Sequence, residues 1–329
     1  MNKNQVNTVL GPISADEMGI TLMHEHIIFS HPGWEGDRTV APFNYKEMVA
    51  AGVAVMKELK EFGVKTYVDA TTNDNGRDVN VLKDVSEKSG VNIICTTGYT
   101  FEAGGTPRYW KFRNSMGYDV TNEIYEMFKK EITEGIQGTG IKAGVIKVAT
   151  GHRKITEYEK WFLKAAAKAQ KDLGVPIISH TQAGTMGPEQ AEFLVNAGAD
   201  PKQIAIGHMS DNLDINYQLC TLKNAGYVLW DRIGYQGVLG VPLDADRYIV
   251  IAEIIQRGYV DRIMLSHDAV LMWLGRPVEY PPEVKSLLVN YYPTHLFKNV
   301  FPAIKSKGVT DAQIKTIMEV NPRRLFAGK

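Results

Sequence analysis

The chain of 329 residues holds only two cysteines, Cys95 and Cys220, and no CxxC pair. Cys95 falls in an apolar strand-like run and Cys220 in a helical one. Both therefore read as reduced, buried thiols, and neither a disulfide framework nor a thiolate metal or redox site is expected. Net charge is equally scarce, with 37 basic residues against 37 acidic ones, which argues against a nucleic-acid groove or an anionic membrane as partner. A small-molecule substrate is the natural expectation. No run reaches the roughly 18 uncharged apolar residues of a membrane helix, and the polar start, residues 1–8, lacks the apolar stretch of a secretory signal. A soluble, cytoplasmic protein is expected. Also missing is a GxGxxG after the first strand-like run, which disfavours an open dinucleotide-binding sheet. No linker or composition break divides the chain.

What is present is a sustained alternation of short β-rich and longer amphipathic helical runs. The strand-like runs are residues 20–26, 66–71, 92–99, 143–150, 176–181, 203–208, 227–232 and 262–268. Helical runs lie near 45–62, 80–88, 120–134, 156–173, 188–197, 215–225 and 245–257, and Gly63, Gly174, Gly198, Gly226 and Gly258 stand where helices should stop. Eight such units predict an α/β fold, a single (β/α)8 TIM barrel over residues 1–329 with a parallel sheet and crossover helices. The segment from Ala269 to about Leu296 has neither period. With Trp273, Gly275, Arg276, Pro277, Pro281, Pro282 and the pair Tyr291 and Tyr292, it reads as a functional loop or as an insertion packed on the barrel or on a partner chain.

Active sites of such barrels lie at the C-terminal ends of the strands, so the polar residues that close the apolar runs carry the functional information. His24 and His26 close the first run and share one face, because side chains alternate along a strand. His180 closes the fifth run, His208 the sixth, and His267 with Asp268 the eighth. Imidazole and carboxylate are ligands for zinc-like ions. One strand-end histidine is an ordinary structural residue; four strands agreeing on nitrogen and oxygen donors point to a metal site. Lys147, in the fourth run, shares a face with Val145 and Ala149, and an unpaired ammonium inside a barrel costs several kcal/mol. Either a neighbouring carboxylate pairs with it, or it is deprotonated and takes up carbon dioxide as a carbamate, an anionic oxygen ligand able to bridge two metals.

Together, Met23-His24-Glu25-His26, residues 144–150 around Lys147, residues 174–181, Ile206-Gly207-His208 and Leu265-Ser266-His267-Asp268 closely resemble the phosphotriesterase family of the amidohydrolase superfamily. The resemblance runs from about Leu10 to Phe326 and includes Gly76-Arg77-Asp78 and residues 321–326. It implies a binuclear centre in which His24, His26 and Asp268 hold a buried α metal and His180 and His208 a more exposed β metal. Carboxylated Lys147 and a hydroxide would bridge them. Two divalent ions per chain follow, zinc first, with iron, cobalt or manganese suited to the same donors. The resemblance further implies attack of the bridging hydroxide on an ester polarised by the β metal, with Asp268 taking the proton and Asp211 as a second carboxylate in the proton path. Asp211 also reads as a helix N-cap near Asp214. Similar proteins form homodimers.

Arg232 matches the lactonase-like members, whereas efficient triesterases resemble one another in having histidine there. The apolar stretch after Asp268, with Leu271, Met272 and Trp273, is similar to lactonases that receive an acyl or alkyl chain. One departure stands out. Lactonase-like members usually carry a tyrosine two residues beyond the glycine of strand three, and here Thr100 follows Gly98 at that spacing, leaving Tyr99 as the candidate substitute on the opposite parity. The expected activity is opening of lactones, N-acyl homoserine lactones of quorum signalling or other γ- or δ-lactones, with weak organophosphate hydrolysis. A dedicated triesterase, a sugar-lactone hydrolase and a non-catalytic metal-binding homologue are the alternatives.

Overall fold

In the computed structural model, which describes residues 4–238 and 240–329, a short antiparallel hairpin precedes the alternating part of the chain. Its strands are β1 (Gln5–Thr8) and β2 (Gly11–Ser14). Then come β3 (Ile20–Phe29), β4 (Val64–Asp69), β5 (Asn92–Gly98), β6 (Val145–Thr150), β7 (Ile177–Thr181), β8 (Ile204–Ile206), β9 (Tyr227–Trp230), β10 (Ile263–Leu265) and β11 (Val270–Trp273). These nine strands pair in parallel in the order β10-β9-β8-β7-β6-β5-β4-β3-β11.

β10 and β11 are two halves of the eighth strand of a TIM-barrel-like fold. Between them the Asp268 N–H donates to the His24 carbonyl and the His26 N–H to the Ala269 carbonyl, each at 2.9 Å, so the eighth strand closes onto the first. The eighth strand thus does not end at Asp268 as the sequence suggests. It turns there through a left-handed residue (φ 55°) and resumes for four residues inside the segment expected to be loop. All four residues of β11 are half-buried, so they carry none of the alternation that would have revealed a strand.

The helices are α1 (Tyr45–Glu61), α2 (Val79–Ser89), α3 (Tyr109–Ser115), α4 (Val120–Thr133), α5 (Glu157–Leu173), α6 (Gly187–Asn196), α7 (Ile215–Thr221), α8 (Asp244–Ile254), α9 (Pro282–Leu287), α10 (Phe301–Lys305), α11 (Asp311–Lys315) and α12 (Asn321–Ala327). Local chemistry sets their ends. α5 begins on a reciprocal capping box between Thr156 and Glu159 and stops at Gly174 in the left-handed conformation. Asp78 caps α2, and Arg77 beside it grips both oxygens of Glu131 on α4, so the Gly76-Arg77-Asp78 motif serves the scaffold. α3 and α9 to α12 had no clear sequence signal. No helix among the described residues is long and apolar enough to cross a membrane.

Inside the sheet, Met23, Val68, Ile94, Val145, Ile178, Ala205, Leu229 and Met264 form one apolar layer, and Val6, Ala15, Met18, Leu325 and Phe326 seal the N-terminal end beneath it. A bulge on β3 fixes what lies above. Leu22 pairs with Tyr67 and Glu25 with Asp69, three steps on β3 against two on β4, so one extra residue is accommodated. Met23 can therefore join the apolar layer while His24 and His26 both turn into the barrel above it.

Candidate metal centre

Three strands place a polar residue one pleat above that apolar layer: Lys147 follows Val145, His180 follows Ile178, and Asp231 follows Leu229. Six of the sequence-selected residues, His24, His26, Lys147, His180, His208 and Asp268, converge there. An Nε2 or Nδ1 of His24, one of His208 and an oxygen of Asp268 lie within 4.8 Å of one another. His26 Nε2 is 3.0 Å from Asp268 Oδ1, and His180 Nδ1 is 2.7 Å from His208 Nε2.

The hydrogen bonds on the far side of each ring set which nitrogen faces inward. His24 Nδ1 donates to Asp231 Oδ2 at 2.6 Å and His208 Nδ1 to Asp231 Oδ1 at 3.0 Å, so one carboxylate orients two imidazoles. The Thr71 hydroxyl gives its proton to the Ile28 carbonyl and accepts from His26 Nδ1 at 2.8 Å. His180 Nε2 donates to Gln182 Oε1 at 2.8 Å. With those protons directed outward, the inward nitrogens present lone pairs to one another and to Asp268, an arrangement that is repulsive until a cation lies among them. Burial pushes the basicity of His24 down and that of His180 and His208 far down, keeping the rings neutral as ligation requires. The donor set fits divalent metal.

Lys147 is buried, and its Nζ lies 2.6 Å from His24 Nε2 rather than on a carboxylate. No ion pair among the described residues satisfies it. Burial is the main cause that brings its amine down to about 8, against the opposing pull of Asp268 and Asp231. For Asp268, burial favours the protonated acid. The Arg232 guanidinium, whose Nε lies 3.0 Å from Asp268 Oδ2, helps to outweigh it, and the carboxyl is held well below the usual range.

Arg232 reaches the cluster from the end of β9. Its Nε donates to Asp268 Oδ2 at 3.0 Å and its Nη1 to Asp211 Oδ2 at 2.8 Å. Asp211 is buried between Arg232 and Arg247, and the N-cap of α7 is Asp214 instead. Arg247, itself buried, donates to Asp244 and to the carbonyls of Ser210, Arg232 and Tyr235, binding the turns after β8 and β9 to α8. Tyr99 is not brought to the cluster. It borders the cleft, and its ring packs 5.0 Å from Phe162 and 6.0 Å from Trp110, as its parity opposite to Gly98 and Thr100 implies. Thr100 lines the cleft, its N–H held by Asp74.

His267 faces outward. Its ring and N–H donate to the buried Glu25, which also accepts from Ser266 and Ala269 and so holds the break between β10 and β11. Glu25 and Asp231, like Thr71 and Gln182, were missed by sequence reading. For Asp231 the signal was its parity with Leu229 at the end of β9; for Glu25 it was a carboxylate inside an otherwise apolar, ligand-bearing strand. Above the cluster opens a cleft of about 750 Å³, walled by Phe29, Trp34, Phe101, Trp273, Leu274, Val278 and Tyr280. Phe101 stacks on His180 at 4.9 Å.

Comparisons with known proteins point to one family. The model of the phosphotriesterase family matches residues 4–326. The phosphotriesterase homology protein of Mycobacterium tuberculosis is 34% identical over 325 residues, covering 98% of this chain and 97% of that protein. The aryldialkylphosphatase of Saccharolobus solfataricus is 34% identical over 321 residues, covering 96% and 97%. Among solved structures, a mutant PTE-like lactonase from Deinococcus radiodurans superposes with a TM-score of 0.96 at 44% identity, covering 98% of this chain and 99% of that one.

Proposed function

This chain belongs to the phosphotriesterase family of metal-dependent, ester-hydrolysing enzymes, and from that premise we propose that it opens lactones, with organophosphate triester hydrolysis as a weaker side activity. The observation that carries the reading is Arg232, bonded to Asp268 at the floor of an apolar, aromatic-walled cleft. A planar ester with an alkyl or acyl chain suits such a site: the ring meets the polar floor and the chain meets the walls.

His24, His26 and Asp268 would hold one divalent ion and His180 and His208 the other, with Lys147 shared between them as its carbamate; zinc is the ion proposed. Bound there, the ions would supply an activated water and would polarise the carbonyl or phosphoryl oxygen of the substrate. The protein's own residues do the rest. Asp268, ionised at neutral pH, accepts the proton of the attacking water and returns it to the leaving alkoxide. Arg232 orients the ester beside Asp268, and Asp211 behind it keeps the guanidinium charged and in place while offering a path outward for the water's second proton, released as the product acid ionises. Trp273 and its neighbours exclude water and bind the chain.

A panel of N-acyl homoserine lactones, aliphatic γ- and δ-lactones, sugar lactones and paraoxon, assayed on metal-loaded protein, tests the proposal. At least one lactone should exceed paraoxon in kcat/KM by about 100-fold, roughly 2.7 kcal/mol of transition-state stabilisation. Paraoxon as the better substrate, or no lactone opened, overturns it.

A further inference from the structure

Asp268 has a left-handed backbone, and its two peptide groups are held from two directions. On the amino side its N–H donates to the His24 carbonyl and the His267 N–H to Glu25, and on the carboxyl side the Ala269 N–H also donates to Glu25. On the carboxyl side the left-handed turn removes the Asp268 carbonyl from the strand ladder. Among the described residues its one donor is the Tyr291 hydroxyl.

Tyr291 comes from the far end of the long segment after β11, and that end is fastened to the barrel. Tyr292, Thr294 and Lys298 all bond to Glu58 on α1, His295 bonds to Asp244, and the Leu296 N–H donates to His267 Nε2 at 3.1 Å. The Tyr291 ring packs 5.3 Å from Tyr235, and Tyr235 in turn lies under the Arg232 guanidinium. Backbone contact completes the seat. A β-carbon added to Gly234, which is itself left-handed at φ 92°, would meet the Asn290 carbonyl oxygen at 2.5 Å.

We infer that Tyr291 is a positioning residue for Asp268: its hydroxyl fixes the strained peptide that aims the carboxylate, and it links the substrate-facing loop to the metal floor. This inference rests on the proposed role of Asp268 as metal ligand and proton acceptor. Partners one bond removed from a ligand set its orientation, and an unsupported left-handed residue has other conformations open to it. Loss of the hydroxyl should loosen the ion and slow turnover while leaving the cleft's walls, and hence substrate binding, in place.

The experiment compares Tyr291→Phe with Tyr292→Phe, whose hydroxyl anchors the same loop to Glu58 without touching Asp268. Both are loaded with cobalt(II), and three quantities are read: the rate of cobalt transfer to excess dipicolinate, the visible cobalt spectrum, and kcat and KM on a lactone. Tyr291→Phe should release cobalt about 10-fold faster, shift the visible band and lose about 10-fold in kcat with KM nearly unchanged. Tyr292→Phe should match the wild type. Gly234→Ala, which displaces Tyr291 with its hydroxyl intact, should also release cobalt faster. Wild-type release rates in Tyr291→Phe and Gly234→Ala, or a Tyr291→Phe effect confined to KM, overturn the inference. If the wild type opens no lactone, the proposed function fails, and the cobalt release rates still decide the role of Tyr291.

Discussion

The two ends of the barrel are built by the same strands from different chemistry. At the N-terminal end, β1, β2 and α12 cover an apolar plug of Val6, Met18, Leu325 and Phe326, continuous with the layer of Val68, Ile94, Val145 and Ile178. One pleat further along, at the C-terminal end, the interior holds neutral histidines, a lysine, two aspartates and left-handed residues at His208 and Asp268. Burying such groups is unfavourable unless each finds a partner, and a left-handed non-glycine residue costs about 1–2 kcal/mol more. The period of two in a strand is what allows this division. A step from Val145 to Lys147, or from Ile178 to His180, keeps the face and changes the layer. The lower layer supplies stability, and the upper layer uses some of it to hold ligands in place.

If that separation is real, substitutions at the two ends should have opposite signatures. The largest effect is expected at Asp268. Asp268→Asn should lower kcat/KM on the preferred lactone by about 10³-fold or more, near 4 kcal/mol, while the melting temperature of the metal-free protein holds or rises. Lys147→Ala should lose metal and activity together, with partial recovery in short carboxylic acids that can occupy the vacated place; metal analysis with and without acetate reads this. A Lys147→Ala protein that keeps its metal and its turnover breaks the comparison.

The lysine also sets a pH dependence. Its folded amine lies near 8, below the ordinary 10.5, so between these values the unfolded chain binds more protons than the folded one. Metal-free protein should therefore gain stability as pH rises from about 8 to about 10.5, and Lys147→Ala should abolish that rise in denaturant titrations. Reconstitution in bicarbonate should quicken as pH passes 8, since only the neutral amine reacts with carbon dioxide.

At the other end, Phe326→Ala should cost about 3–5 kcal/mol of stability, read from urea midpoints, with kcat at 25 °C unchanged. A loss of turnover there without loss of stability would show that the two layers are not separable. The smallest effect sharpens the upper layer alone: Trp273→Ala should weaken kcat/KM on long-chain lactones by about 10-fold and leave short ones nearly unaffected. Equal losses on both would place Trp273 at the reacting ring rather than on the chain.

Much of this was legible before any coordinates. Strand ends picked out His24, His26, His180, His208 and Asp268, and parity within the fourth run picked out Lys147; these six side chains lie together. Their partners could not be chosen this way. Asp231 bonds to His24 from 207 positions away, and Glu25 to Ser266 from 241, distances at which no local pattern operates. Parity held even past the end of β5, where Thr100 lines the cleft and Tyr99 packs on Phe162 instead of the cluster. β11 was hidden because half-burial on both faces erases alternation, and the helices after residue 281 were obscured by prolines and short lengths. The bulge at Met23 and His24 left no trace in sequence, although it decides how an apolar residue and a ligand share one side of the barrel.

The central claim is that the C-terminal layer is a two-ion hydrolytic centre assembled on a structural barrel. The most direct measurement is an anomalous-difference map, collected at the metal edge from crystals of protein expressed with added zinc. Two peaks per chain are predicted, one among His24, His26 and Asp268 and one beside His180 and His208, with density extending from Lys147 Nζ between them. A single peak, or none, would contradict the account.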